Sequence, residues 1–104
     1  DVPLPMASTT KILTAVTVLE NASLEEEFPV PEQAAGVEGS SVYLEKGAVY
    51  SVKDLLYGLM LRSGNDCAEA LALHVSGSIG EFARKMNETA EKAGALRRAL
   101  YHGA

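Results

Sequence analysis

From Ser51 to Gly94 the apolar residues recur at three- and four-residue intervals, which commits this long stretch of the 104-residue chain to amphipathic helices packed on one another. Ser51, with Asp54 three residues later in place of the usual Glu, gives a capping-box-like start. Val52, Leu55, Leu56, Leu59 and Met60 then mark one face of a helix over 52–62, closed by Ser63-Gly64. A second helix, 65–77, carries Ala68, Leu71, Ala72 and Val75 on one face and stops near Gly77. Ser78 and Glu81 make a second capping box for a third, 79–94, followed by Ile79, Phe82, Ala83, Met86, Ala90 and Ala93, with Gly94 as its expected stop. On this reading Met60 and Met86 are core residues.

Upstream, Pro3 and Pro5 make residues 1–7 extended. Ser8 opens a stretch with Ile12, Leu13, Val16 and Leu19 at helical spacing, which predicts a helix over 8–20. Thr9, Thr10, Ile12, Thr14, Val16, Thr17 and Val18 are β-branched and oppose it mildly, but the apolar residues do not alternate as in a half-buried strand. So apolar a helix is expected to be central and buried. Residues 21–40 read as loop, punctuated by Pro29, Pro31, Gly36 and Gly39, with at most one short strand near Phe28–Val30; Glu25-Glu26-Glu27 is a solvated acidic run. Residues 41–52 read as a hairpin, Ser41–Leu44 against Ala48–Val52 across Glu45-Lys46-Gly47, with Gly47 supplying a positive φ. The fold class is mainly α with a small β-hairpin, in one partial domain over 1–104.

A hydrophobic content of 47% excludes a chain disordered by composition, and a net charge of −5 argues against nucleic acid and against a polybasic membrane site. No run approaches the roughly 18 apolar residues that span a bilayer. The single cysteine, Cys67, excludes an internal disulfide and a multi-cysteine metal site, and reads as a small core residue. His74 and His102 lack metal-ligand spacing, so neither a metal nor a cofactor is expected. The chain starts at Asp1 without a methionine or a signal-peptide pattern, as a mature or excised piece would.

Two short motifs carry candidate chemistry. Ser8-Thr9-Thr10-Lys11 puts a hydroxyl and an amine three residues apart, on one face at a helix start. A lysine whose pKa is lowered by burial or positive neighbours can deprotonate such a serine, and the helix N-terminus favours a developing oxyanion. With serine and lysine each roughly 6–7% of residues, this spacing arises by chance about once in every two or three chains of this length. Alone it therefore fits an N-cap beside a surface lysine better than a nucleophile and its base. Ser63-Gly64-Asn65 is a second weak signal. It reads either as a helix–helix turn, with Gly64 permitting the bend and Asn65 or Asp66 capping the next helix, or as a hydroxyl and a carboxamide presented together.

The wording around both motifs narrows this. Pro5-Met6-Ala7-Ser8-Thr9-Thr10-Lys11-Ile12-Leu13-Thr14-Ala15 resembles the nucleophile motif of the serine D-alanyl-D-alanine carboxypeptidases, the low-molecular-mass penicillin-binding proteins. Ser51 to Leu61, followed by Arg62-Ser63-Gly64-Asn65-Asp66-Cys67-Ala68, resembles their second motif and its preceding helix; Gly39-Ser40-Ser41 and Leu44–Val52 resemble their hairpin. The resemblance implies the helical part of a β-lactamase/transpeptidase-like α+β fold. It implies Ser8 as nucleophile, Lys11 as general base, Ser63 as proton relay and Asn65 as the group that positions Lys11 and substrate. The implied substrate is a peptidoglycan stem peptide ending in D-Ala-D-Ala, with β-lactams as inhibitors that acylate Ser8. The implied site of action is outside the bacterial cytoplasmic membrane, with attachment only through segments beyond these residues.

The third motif of that family, Lys-Thr-Gly on a strand of the main sheet, does not occur in these 104 residues. The chain is therefore expected to be a truncated form, inactive or weakly active alone. Leu96 to Ala104 also departs from the family's pattern, as a shift of reading frame near residue 95 would produce. A serine β-lactamase, disfavoured by Ser63-Gly64-Asn65 and by the lack of an evident deacylating glutamate, and a non-catalytic helical module stay open as alternatives.

Overall fold

The structure is a computed structural model and describes residues 8–36, 42–62 and 64–102, with Ser8 and His102 by backbone alone. Its elements run α1 (Ser8–Asn21), β1 (Glu27–Pro29), a 3-10 turn (Glu32–Ala34), β2 (Val49–Ser51), α2 (Val52–Arg62), α3 (Asn65–Ser76) and α4 (Ile79–His102). The caps work as the sequence implies: Ser51 Oγ accepts the Asp54 N–H at 3.0 Å and Ser78 Oγ accepts the Glu81 N–H at 3.1 Å. Gly77, at φ +78°, closes α3 in the left-handed conformation and returns its N–H to the Leu73 carbonyl at 2.8 Å.

Within α1 the threonines are absorbed by bonding back one turn. Thr14 Oγ1 donates to the Thr10 carbonyl and Thr17 Oγ1 to the Leu13 carbonyl, each at 2.8 Å, so both hydroxyls are buried and satisfied. Their face, with Val18, turns toward the other helices. The other side of α1 is uncovered within these residues: Ile12, Val16 and Leu19 are 54%, 40% and 52% exposed, so the elements present do not bury α1 on all sides. The central helix is α3, which packs against α1, α2, α4 and the 3-10 turn. Its buried residues, Cys67, Ala68, Ala70, Leu71 and Ala72, meet Leu55 and Leu59 of α2, Phe82 of α4, and Phe28, Val30 and Leu44 from the loops and β1 in one core. Small side chains at 67, 68, 70 and 72 let the surrounding elements approach α3 closely.

Met60 is also not a core residue, being 40% exposed at the edge of the Val52–Leu55–Leu56–Leu59 stripe, whereas Met86 is half-buried against the core. The hairpin differs from the local pairing expected over 41–52. Ser41 lies outside the described residues, and 42–44 form no strand. Instead β2 pairs antiparallel with β1, in the register Glu27↔Ser51, Phe28↔Tyr50 and Pro29↔Val49. Gly47 does take the positive φ, at +83°, and its N–H reaches the Val30 carbonyl at 2.9 Å, while Val30 N–H reaches the Ala48 carbonyl at 2.9 Å. The turn thus serves the β1 strand, well upstream of it in the chain, rather than residues 42–44. Finally, α4 does not stop at Gly94. Ala95, Leu96, Arg97, Arg98, Ala99 and Leu100 are strong helix formers, and together they outweigh the roughly 1 kcal/mol cost of one interior glycine.

Candidate active site

Ser8 opens α1 and Lys11 stands on the same turn, as the motif requires. Lys11 is half-buried, and its Nζ donates to the Met60 carbonyl near the end of α2 at 3.2 Å. That bond brings the first motif to within three residues of Ser63 in the chain. Ser63 itself, and the side chain of Ser8, lie outside the described residues. Asn65, half-buried, is the first residue of α3. The start of α1, the end of α2 and the start of α3 therefore converge, α1 contacting both of the other helices.

The turn between α2 and α3 works differently from its local reading. Gly64 is the N-cap of α3 at an ordinary φ of −73°, with no side-chain cap bond, so neither Asn65 nor Asp66 caps the helix and the bend does not need glycine's freedom. Glycine is needed for space. A Cβ on Gly64 would lie 2.9 Å from Asp66 Oδ1 and 3.2 Å from Val42 Cγ2, and one on Gly58 would lie 2.7 Å from Cys67 Sγ. The two glycines let α2, α3 and the 42–45 loop close on one point beside the second motif.

Asp66 is the residue that the sequence least reveals. It is fully buried, its Oδ2 accepts the Leu44 N–H at 2.9 Å, and its Oδ1 accepts the Cys67 N–H at 3.0 Å. The carboxylate thereby bolts the 42–45 loop to the start of α3. The sequence offered it only as an alternative cap for the helix that follows the turn. Just before Leu44, Tyr43 adopts φ +60°, a left-handed conformation that costs a non-glycine residue about 1–3 kcal/mol.

Cys67 is confirmed as a core residue, at 0% exposure. Burial, and next the Asp66 carboxylate beside it, push its thiol from an ordinary value near 9 up to about 12. Iodoacetamide at pH 8 is expected to leave Cys67 unmodified in the folded protein and to alkylate it fully in denaturant, read by intact mass. The sign for stability follows. Below about pH 9 the thiol is protonated in both states; from there toward pH 12 the unfolded chain ionises first, so stability falls across that window. Rapid native alkylation at pH 8 would contradict the burial.

His74 has a structural place. Its ring stacks on Phe28 at 3.9 Å between centroids and 4° between planes, and its Nε2 meets Glu26 Oε1 at 2.9 Å. The Ser23 backbone N–H and then His74 hold the Glu26 carboxyl below its usual range. Glu25 to Glu27 are exposed, as a solvated run should be. The side chain of His102 lies outside the described residues.

Comparison with solved structures first gives the class. The chain is similar to the D-alanyl-D-alanine carboxypeptidase DacD of Francisella tularensis (TM-score 0.77, 39% identity, covering 85% of this chain and 22% of that one). It is also similar to penicillin-binding protein 6B of Escherichia coli (TM-score 0.75, 32% identity, 86% and 31%). The mainly helical body with its two-stranded sheet is thus the helical part of a penicillin-binding, transpeptidase-like fold. The D-alanyl-D-alanine carboxypeptidase family, peptidase S11, matches residues 1–99, and the chain belongs to that family. Among curated relatives it is 38% identical over 93 residues to the carboxypeptidase DacF of Bacillus subtilis, and 40% identical over 99 residues to the D-alanyl-D-alanine carboxypeptidase of Streptomyces sp. K15. These matches cover 85% and 84% of this chain but 24% and 34% of the relatives, so the chain spans about a quarter to a third of their length.

Proposed function

We propose that this chain is the nucleophile-bearing part of a serine D-Ala-D-Ala carboxypeptidase that trims the terminal D-alanine from peptidoglycan stem peptides. Ser8 Oγ attacks the carbonyl between the two D-alanines as Lys11 takes its proton, and Ser63 passes that proton to the departing D-alanine nitrogen as the amide bond breaks. Asn65 holds Lys11 and the substrate amide. Water then adds to the acyl carbonyl, releasing Ser8 Oγ with its proton restored and a shortened peptide with a new carboxylate. A β-lactam acylates the same oxygen and leaves slowly.

The observation that carries this reading is the Lys11–Met60 bond of 3.2 Å, which ties the first motif to the end of the helix that leads into the second. The bond spans 49 residues of sequence, so it reports how α1 packs on α2 rather than a local cap at the helix start. The N-termini of α1 and α3 each carry the positive end of a helix dipole, which favours an oxyanion near the start of α1, while the end of α2 presents carbonyl acceptors that can hold the Lys11 ammonium. The names of the relatives supply the substrate. On this reading the enzyme acts outside the cytoplasmic membrane. Among the described residues no helix is long and apolar enough to cross a membrane, so attachment would come from other segments.

Intact-mass spectrometry of the full-length protein carrying this segment, after incubation with benzylpenicillin, tests the reading. A gain of one penicilloyl group that vanishes in Ser8→Ala is expected. A folded full-length protein that forms no adduct, or one whose adduct survives in Ser8→Ala, would overturn it.

A further inference from the structure

Beside the second motif, Val42, Tyr43, Tyr57, Gly58, Leu61 and Arg62 line an open groove of about 470 Å³, within the range of small-ligand sites. Three features converge on Tyr43. Its backbone is left-handed, yet the residue is 77% exposed, so among the described residues the unusual conformation is not compensated by burial. The conformation is imposed from both sides: Val42 is wedged where α2 and α3 cross, 3.3 and 3.2 Å from the points a Cβ on Gly58 or Gly64 would occupy, and Leu44 is buried with its N–H on Asp66. The location is also specific, because Gly64, against which Val42 rests, sits between Ser63 and Asn65.

We propose that Tyr43, held by Asp66 through the Leu44 amide, is a specificity-determining wall of the substrate cleft, and that its groove takes the peptide portion of an anionic stem peptide next to the scissile bond. This rests on the carboxypeptidase reading above. Strain held in an exposed aromatic residue is the mark of a side chain placed for a ligand rather than for the core. The walls supplied by Val42, Tyr57, Gly58 and Leu61 are apolar enough for an aliphatic side chain and a peptide backbone. Arg62 is the one ionic residue among the described lining, and its guanidinium is the group there suited to a ligand bearing a carboxylate. Asp66 acts here as a positioning residue and touches no substrate.

The test compares two substrates on the full-length enzyme: a stem pentapeptide ending in D-Ala-D-Ala, and N-acetyl-D-Ala-D-Ala, which is too short to fill the groove. Tyr43→Ala is expected to raise KM for the pentapeptide about 10-fold while leaving kcat, the dipeptide and benzylpenicillin acylation unchanged. Tyr43→Phe should match wild type. Tyr43→Gly, whose backbone suits a positive φ, should lose the same discrimination without a lower Tm, a combination that a merely structural role would not give. An unchanged ratio of pentapeptide to dipeptide kcat/KM in Tyr43→Ala, with the wild-type enzyme active, overturns the subsite alone. A wild-type enzyme that releases no D-alanine and takes no penicilloyl group overturns the carboxypeptidase reading and the subsite with it.

Discussion

Lys11→Ala in the full-length enzyme is expected to slow acylation by benzylpenicillin about 10²–10⁴-fold, the usual worth of a positioned general base. The Tm should stay near wild type, because Lys11 is only half-buried and packs on the rim of α1 rather than in the core. The sharper variant is Lys11→Arg. An arginine can still donate to the Met60 carbonyl, which Lys11 reaches at 3.2 Å, and so can preserve the link between α1 and α2. It cannot give up its proton under these conditions, so it cannot serve as a base. Arginine should therefore be as slow as alanine. Stopped-flow acylation rates with a chromogenic cephalosporin distinguish the cases. An arginine variant near wild-type speed would mean that position 11 supplies charge and a tether, and that another group removes the Ser8 proton.

Why Lys11 could be singled out at all shows how far the sequence reaches. Helical spacing and local caps are written in consecutive residues, so α2, α3 and the start of α4 are legible: Ser51 and Ser78 do bond the N–H three residues on, and Gly77 does end α3. The β-strand partner is not local. Residues 42–44 resemble a strand that could fold back on 48–52, but the Leu44 N–H is claimed by the Asp66 carboxylate, and the ladder goes to Glu27–Pro29 instead. No rule of hairpin spacing sees a side chain 22 residues away competing for a backbone donor.

The same limit governs α1. Its run of apolar residues was legible, and its register put Ile12, Val16 and Leu19 together, but which side is covered depends on where α2, α3 and α4 lie. They cover the Thr14–Thr17–Val18 side, whose hydroxyls are satisfied within the helix and so cost little to bury. Gly94 fails as a stop for the opposite reason: the residues after it favour helix strongly enough that one glycine does not end it. In the candidate site, the sequence could name Ser8, Lys11, Ser63 and Asn65 from their wording. It could not name the Met60 carbonyl, since every residue has one, nor Tyr43, whose backbone conformation is imposed by its neighbours.

Asp66→Ala tests the element that the sequence hid most completely. The substitution removes the acceptor of two N–H groups at once, Leu44 at 2.9 Å and Cys67 at 3.0 Å, both in buried surroundings. Each orphaned donor costs about 1–3 kcal/mol, so the loss should come to about 2–6 kcal/mol, a large share of the stability of a small domain. Asp66→Asn keeps one acceptor oxygen but turns an NH₂ toward the other donor, and should fall between wild type and alanine. Urea unfolding of the three proteins gives the comparison. A useful contrast is Arg84→Ala, which breaks ion pairs to Glu81 and Glu88 at 2.9 and 3.0 Å that lie on the solvent-exposed surface and should leave the midpoint almost unmoved. If alanine at 66 unfolds no earlier than alanine at 84, water has taken the carboxylate's place, and the 42–45 loop is held by the packing of Val42 and Leu44 alone. If it unfolds far earlier, one buried carboxylate is what joins that loop to the helix bearing the second motif.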